Sequence, residues 1–132
     1  MLGELIGENR GKRLVRRVLS TTPPTVEVTF EEAGKLFGIA TTGMGTYTSV
    51  IRPDGSIWGT GQGIVTTADG EGMTWVGSGQ GKFGAGGAVS YRGILYFQGP
   101  SAKLAKLSAH PAVFEYEVDA EGKTHTKLWE WK

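Results

Sequence analysis

The sequence predicts an all-β protein: a small closed or nearly closed antiparallel barrel of about eight to ten strands, hairpin-connected, with at most one short helix. Three observations carry that expectation. Helical periodicity is almost absent, and Val, Ile and Thr supply 30 of 132 residues, which suits pleated, half-buried surfaces. Turn chemistry recurs at the short spacing expected of a barrel or sandwich. Gly numbers 22, more than twice its usual share, and 17 of the 22 fall between Gly38 and Gly99.

Alternating runs place strands near residues 2–7, 11–20, 25–32, 35–42, 44–52, 56–67, 72–83, 88–98, 112–119 and 123–131. Pro23-Pro24 separates two early strands, because proline cannot donate to a central ladder. Arg52-Pro53-Asp54-Gly55-Ser56 is a hairpin turn: Pro presets φ, Asp tolerates the bend and Gly takes positive φ. Ala68-Asp69-Gly70-Glu71 and Asp119-Ala120-Glu121-Gly122 repeat that logic, and Gly84-Ala85-Gly86-Gly87 is a looser turn. The helix candidate is Ser101–Leu107, with Ser101 as cap and Leu104 and Leu107 on one side; it reads as a connector. No linker or composition shift divides the chain, so residues 1–132 read as one barrel domain.

The glycines form ladders. Gly59, Gly61 and Gly63 share one face of their strand, and Gly77, Gly79 and Gly81 share one face of theirs. A hairpin centred on Gly70 sets 63 against 77, 61 against 79 and 59 against 81. A turn centred on Asp54 sets Tyr47 beside Gly61 and Ser49 beside Gly59. The glycine face also carries Ile51, Ile57, Val65, Met73, Trp75 and Phe83, whereas the opposite face carries Thr46, Thr48, Thr60, Gln62, Thr66, Thr74, Ser78, Gln80 and Lys82. The glycine face is therefore expected inside, joined by Val89, Tyr91, Leu95 and Phe97. Three arrangements account for glycine in register: tight coiling at barrel corners, aromatic rings laid over bare backbone, or a cavity. An unfilled cavity of about 150 Å³ would cost roughly 3–4 kcal/mol. Trp58 and Ile64 fall on the outer face, which suggests a covering subunit.

Taken together, GTYTSVIRPDGSIWGTGQGIVTTADGE, WVGSGQGKF, GAVSYRGILYFQ and FEYEVDAEGKTHTKLWEWK resemble a group of uncharacterised prokaryotic proteins related to the allene oxide cyclase-like, or dirigent-like, β-barrels. These stretches span roughly the C-terminal two thirds of the chain. The resemblance implies a compact antiparallel barrel, often oligomeric, with an apolar central cavity. It carries over no catalytic residue, because no catalytic motif of those enzymes stands in this sequence.

Other chemistry finds little support. With no Cys, disulfides, thiolate metal sites and cysteine nucleophiles are excluded. Gly79–Gly84 matches GxGxxG formally, but no helix follows to receive a phosphate. His110 and His125 lack metal-ligand spacing, so neither a metal nor another cofactor is expected. Glu115 and Glu117 share a strand face opposite Phe114, Tyr116 and Val118, which makes the glutamates solvated and the apolar set core; Glu27 reads the same way. Trp129 and Trp131 share a face and are expected to close one side of the barrel or meet a neighbouring subunit. Arg10, Lys12, Arg13, Arg16 and Arg17 form one basic cluster. Strict alternation splits it, Lys12 with Arg16 and Arg13 with Arg17, as edge-guarding charge rather than a nucleic-acid footprint. Net charge is +1. The N-terminal stretch is too polar for a signal peptide, and no run approaches the roughly 18 apolar residues of a membrane helix. A cytoplasmic protein with no nucleic-acid or membrane partner is expected.

The expected function is binding of a small, largely apolar molecule in the barrel interior by Tyr47, Ser49, Gly61, Trp75, Gly79, Phe83, Tyr91 and Phe97. Tyr47, Ser49 and Tyr91 are its polar handles, and the assembly is a homo-oligomer. The alternatives are a cofactor-independent cyclase or isomerase acting by cavity shape, and a structural subunit with a filled barrel. A charged acid–base group inside would separate them, and the inward set just described contains none.

Overall fold

Every strand of the chain pairs with its neighbours in sequence, and the last returns to the first. The computed structural model describes residues 2–132. Its elements are β1 (Leu2–Thr21), β2 (Pro24–Leu36), β3 (Ile39–Ile51), β4 (Ile57–Thr67), β5 (Gly72–Phe83), β6 (Val89–Gln98), β7 (Ala112–Val118) and β8 (Lys123–Trp131). All pairs are antiparallel, in the order β1-β2-β3-β4-β5-β6-β7-β8, closed by β8 on β1. Closure removes the unpaired edges that an open sheet of this size would leave.

Three hairpins share one turn. The amides of Arg52, Thr67 and Asp119 donate to the carbonyls of Ser56, Glu71 and Lys123, each at 2.9 Å. Gly55, Gly70 and Gly122 then bond back to the first residue with φ of +86°, +86° and +88°. This is the three-residue hairpin loop, a type I turn closed by a left-handed glycine. It centres on the residue before the glycine. The β3–β4 register is therefore as the sequence predicts, with Tyr47 opposite Gly61 and Ser49 opposite Gly59. The β4–β5 hairpin centres on Asp69 rather than Gly70, so its register is two residues away from the expected one: Gly59 faces Gly79, Gly61 faces Gly77 and Gly63 faces Trp75. A slip of two preserves the faces, and the glycine side does point inward.

The N-terminal half differs more. Residues 2–7 and 11–20 form one long strand, and the expected strands 25–32, 35–42 and 44–52 are two. A two-residue turn at Phe37-Gly38, φ +51° and +77°, divides β2 from β3 inside what the alternation reads as a strand. β8 pairs with β1 as far as Lys12 opposite Lys123. Beyond that point, β1 and β2 continue as a two-stranded ribbon past the β7–β8 turn.

Two apolar clusters fill the barrel. One holds Leu36, Val65, Met73, Phe97 and Leu128, and is plugged by Leu104 and Leu107 from the β6–β7 connection. That connection contains a 3₁₀ turn, Ala105–Ser108, where the sequence suggests a short helix. Ser101 ties down the segment before it, accepting from the Leu104 amide at 3.2 Å while donating to Glu71 at 2.7 Å; the turn itself has Leu104 at its N-cap and no side-chain cap. The other cluster holds Phe30, Ile57, Tyr91, Tyr116 and Val118, with Tyr47 and Phe114 against it. Trp129 lies opposite Leu5 and Val113, and Trp131 opposite Leu2. Both belong to the outer face and close nothing, because the inward alternation of β8 runs through Thr124, Thr126 and Leu128.

Candidate functional site

Glycine is what lets aromatic rings occupy this interior. A Cβ on Gly59 would stand 2.9 Å from the Tyr91 ring, one on Gly81 2.7 Å from it, one on Gly45 2.8 Å from Phe30 and Trp75, and one on Gly79 2.9 Å from Phe114. The rings lie directly on the bare backbone of the adjacent strand or the one beyond it. They also meet each other: Tyr47 stands edge-on to Tyr91 and to Tyr116, centroids 5.7 Å apart in each case, and Phe30 lies 5.3 Å from Tyr116. Such offset and edge contacts are the favoured ring geometries.

The rings do not fill the space completely. A cavity of about 70 Å³ remains on the axis, walled by Phe30, Tyr47, Trp75, Tyr91, Phe97 and Phe114 together with the bare faces of Gly59, Gly61, Gly77 and Gly79. Of the residues expected to bind, Tyr47, Gly61, Trp75, Gly79, Tyr91 and Phe97 line it. Ser49 stands behind the wall, its Oγ 2.5 Å from the Tyr91 hydroxyl. Phe83 has the right face but sits at the strand end, 51% exposed, and borders a surface groove beside Lys82 and Val89 instead.

The polar part of the site was missed in the sequence. β2 alternates Val28, Phe30, Glu32 inward, so Glu32 reaches the cavity. Its Oε2 accepts a hydrogen bond from Thr126 Oγ1 at 2.9 Å. Burial raises its pKa from 4.5 to about 7, against the lowering effect of that bond. The residue is half-buried overall. The expectation of an interior without an acid–base group is thereby corrected. Tyr116, 6% exposed, also lines the cavity, and its hydroxyl has no hydrogen-bond partner. The Tyr47 hydroxyl is near enough for the two phenols to influence each other's ionisation. Burial raises the pKa of both, and that of Tyr91 to about 12. A carboxyl poised near neutrality beside a buried phenol can donate or accept a proton at a bound polar group.

Outside, Glu115 and Glu117 are solvated and paired with Arg92, at 3.6 Å and 2.8 Å. His110 and His125 lie near Glu130 and Glu8. Among the described residues no group of three or more His, Cys, Asp or Glu gathers as a metal site, and no helix is long and apolar enough to cross a membrane. Trp58 and Ile64 are exposed on the outer face, as the alternation predicts, and Ile64 is continued there by Met44, Val76 and Tyr96.

No protein-family model matches the chain, and no curated protein matches it in sequence. Solved structures do match in shape. A protein of unknown function from Clostridium acetobutylicum superimposes with a TM-score of 0.83 at 12% identity, over 98% of both chains. A conserved protein of unknown function from Rhodopseudomonas palustris gives 0.81 at 14%, over 98% of this chain and 97% of the other. A β-barrel-like protein from Acinetobacter baumannii gives 0.82 at 12%, over 100% and 96%. At such identities the likeness establishes the barrel and leaves its chemistry to the residues.

Proposed function

We propose that the barrel binds a small, largely apolar molecule bearing one polar group. The observation that carries this is the cavity itself: largely apolar walls around a buried Tyr116 hydroxyl that makes no well-formed hydrogen bond, its neighbour being the Tyr47 phenol. A buried unsatisfied hydroxyl costs about 1–3 kcal/mol, and a ligand oxygen seated against it would offset that cost. At about 70 Å³ the cavity is roughly half the size of an apolar cavity that admits benzene. Ligands of about five non-hydrogen atoms fit without movement of the rings. With at most about 1.5 kcal/mol per such atom, their affinity is limited to about micromolar.

A second reading is favoured by Glu32. The interior holds an acid–base group, so a cofactor-independent isomerase or cyclase of the allene oxide cyclase-like kind is the enzymatic form of the same site. Glu32 would move the proton and the aromatic walls would shape the substrate. The exposed outer residues Met44, Ile64, Val76 and Tyr96 support a homo-oligomer, which light scattering would reveal. The cysteine-free composition suits a cytoplasmic protein.

Native mass spectrometry of protein from its host tests the binding reading directly. A co-purified small molecule, lost from Gly79→Val, is the expected result. A ligand-free protein whose Gly61, Gly77 and Gly79 amide resonances ignore small ketones and amides would identify a filled, structural barrel.

A further inference from the structure

The basic cluster of β1 is sorted by a bulge that alternation does not reveal. Arg13 pairs with Phe30, but the next partners are Val15 with Thr29 and Arg16 with Val28. Leu14 is the extra residue, and two residues stand against one at that point. The count of faces therefore changes by one. Lys12 and Arg17 fall on the outer face opposite Glu31 and Glu27, and form ion pairs with them at 3.9 Å and 3.2 Å. Arg10 lies 3.8 Å from Glu8. Arg13 and Arg16 fall together on the inner face, in line with Phe30 and with Val28 and Tyr47, and neither has a carboxylate within ion-pair distance among the described residues. They sit where the ribbon overhangs the tyrosine end of the barrel. Both charges act on the Tyr47 phenol, and that of Arg13 reaches the Tyr116 phenol too.

Three paired cations on the outside and two unpaired ones on the inside are not what solvation of an edge requires. The unpaired two, Arg13 half-buried and Arg16 exposed, stand on the side of the ribbon that continues the inner face toward Tyr47 and Tyr116, the latter one of two buried hydroxyls that lack a partner. We infer that the polar group of the ligand is a carboxylate, held by Arg13 and Arg16 above the tyrosines while its apolar remainder enters the cavity. This rests on the binding reading and specifies its ligand class. Guanidinium groups suit a carboxylate because their N–H donors match its two oxygens, and the Tyr116 hydroxyl can donate to the same anion. Glu32 lies deeper, opposite Gly11 and Gly43, next to the apolar part of such a ligand. Its protonated form at mildly acidic pH leaves the cavity uncharged.

The test compares isobutyrate with isobutyramide, which share shape and differ in charge, by amide-resonance titration at pH 6 and low salt. Wild type is expected to bind isobutyrate at least tenfold more tightly than the amide, with the preference shrinking as salt screens it. The double variant Arg13→Met/Arg16→Met should lose the preference yet keep the amide affinity. Arg17→Met, whose partner is Glu27, should keep both. Retained amide affinity shows that the double variant is folded. Equal binding of the two probes by wild type would overturn the anion assignment and leave the cavity reading standing. An unchanged preference in the double variant would overturn the role of these arginines. If neither probe moves the cavity glycine resonances, the binding reading and this inference fall together.

Discussion

Replacing Glu32 by Gln tests whether the barrel carries a buried acid. Folded, Glu32 ionises at about 7 instead of 4.5 because burial disfavours its charge. The groups that line the cavity with it include Thr126 from β8, Asn9 from β1, Tyr47 from β3 and Tyr116 from β7, and of these only Thr126 bonds to it. A carboxyl that is harder to ionise when folded favours folding through its protonated form. That benefit is complete below pH 4.5 and is lost as pH rises through about 7. At about 1.36 kcal/mol per pH unit, the interval corresponds to about 3 kcal/mol. Water reaching the half-buried side chain reduces this to about 1–3 kcal/mol. Gln keeps the shape and an acceptor for Thr126 but cannot ionise. Urea melts of both proteins at pH 5 and pH 8 provide the assay. Glu32→Gln should match wild type within about 1 kcal/mol at pH 5 and exceed it by about 1–3 kcal/mol at pH 8. Taking the difference between variants cancels every other titrating group. A Gln variant whose advantage is the same at both pH values, or which is weaker at pH 8, would show that the carboxyl is solvated and the interior lacks its acid.

Gly93→Ala should prevent folding, because the new Cβ would overlap the Ser78 carbonyl oxygen and lie 2.6 Å from Gly79 Cα. Gly72→Ala, with 3.7 Å to its nearest neighbour, should fold normally, so soluble yield and circular dichroism separate the two. Gly79→Val meets the Phe114 ring and Gly61→Val the Tyr47 Cβ, each at 2.9 Å, and both should lower the melting temperature; an unchanged Gly79→Val melt would refute the packing of a ring on bare backbone there. Leu104→Ala unplugs the barrel end where the side chain is fully buried, and chemical denaturation should show a loss of about 2–5 kcal/mol. Of the four tyrosines, burial raises Tyr47, Tyr91 and Tyr116, with Tyr91 at about 12. Ultraviolet titration of native protein at pH 11 should therefore show at most two tyrosinates, against four in urea. Three or four in the native protein would mean that water reaches the rings.

The C-terminal two thirds was legible because its turns announce themselves. Pro-Asp-Gly and Ala-Asp-Gly place glycine at the position that needs positive φ, and the strands between them alternate cleanly. Even the β4–β5 register was within reach. The rule that centres the first turn on Asp54 centres the second on Asp69, and consistent use of it yields the observed pairing. The Phe37-Gly38 turn was not legible by the same means. Phe in left-handed conformation contradicts its local preference and is held by tertiary contact, its amide bonding to the Ile6 carbonyl at 2.7 Å and its ring packing against the plugged cluster. The Leu14 bulge leaves no residue-type signature either, and it reverses the face assignments from Val15 to Val18, up to a second register shift before Ser20. Glu32 is the opposite case. Val26, Val28 and Phe30 mark its face, and only the habit of placing glutamate in water hid it.

The glycine ladders left three explanations open, and the contacts assign ring cover to part of them, Gly61 and Gly77 meeting Tyr47 Cβ, Leu95 and backbone instead. If coiling alone required glycine, a Cβ at these positions would meet backbone or open space. At Gly59, Gly63 and Gly81 it meets the rings of Tyr91 and Trp75 first. The missing side chains and the oversized ones are therefore complementary, each aromatic occupying volume that a neighbouring strand has given up. This explains why so many glycines leave so small a cavity. A ring that spans the barrel brings its hydroxyl to the far side, where Tyr91 finds Ser49 and Tyr116 finds no partner. The unsatisfied hydroxyl thus follows from the same exchange of volume that builds the core, and that exchange confines any ligand to the space beside it.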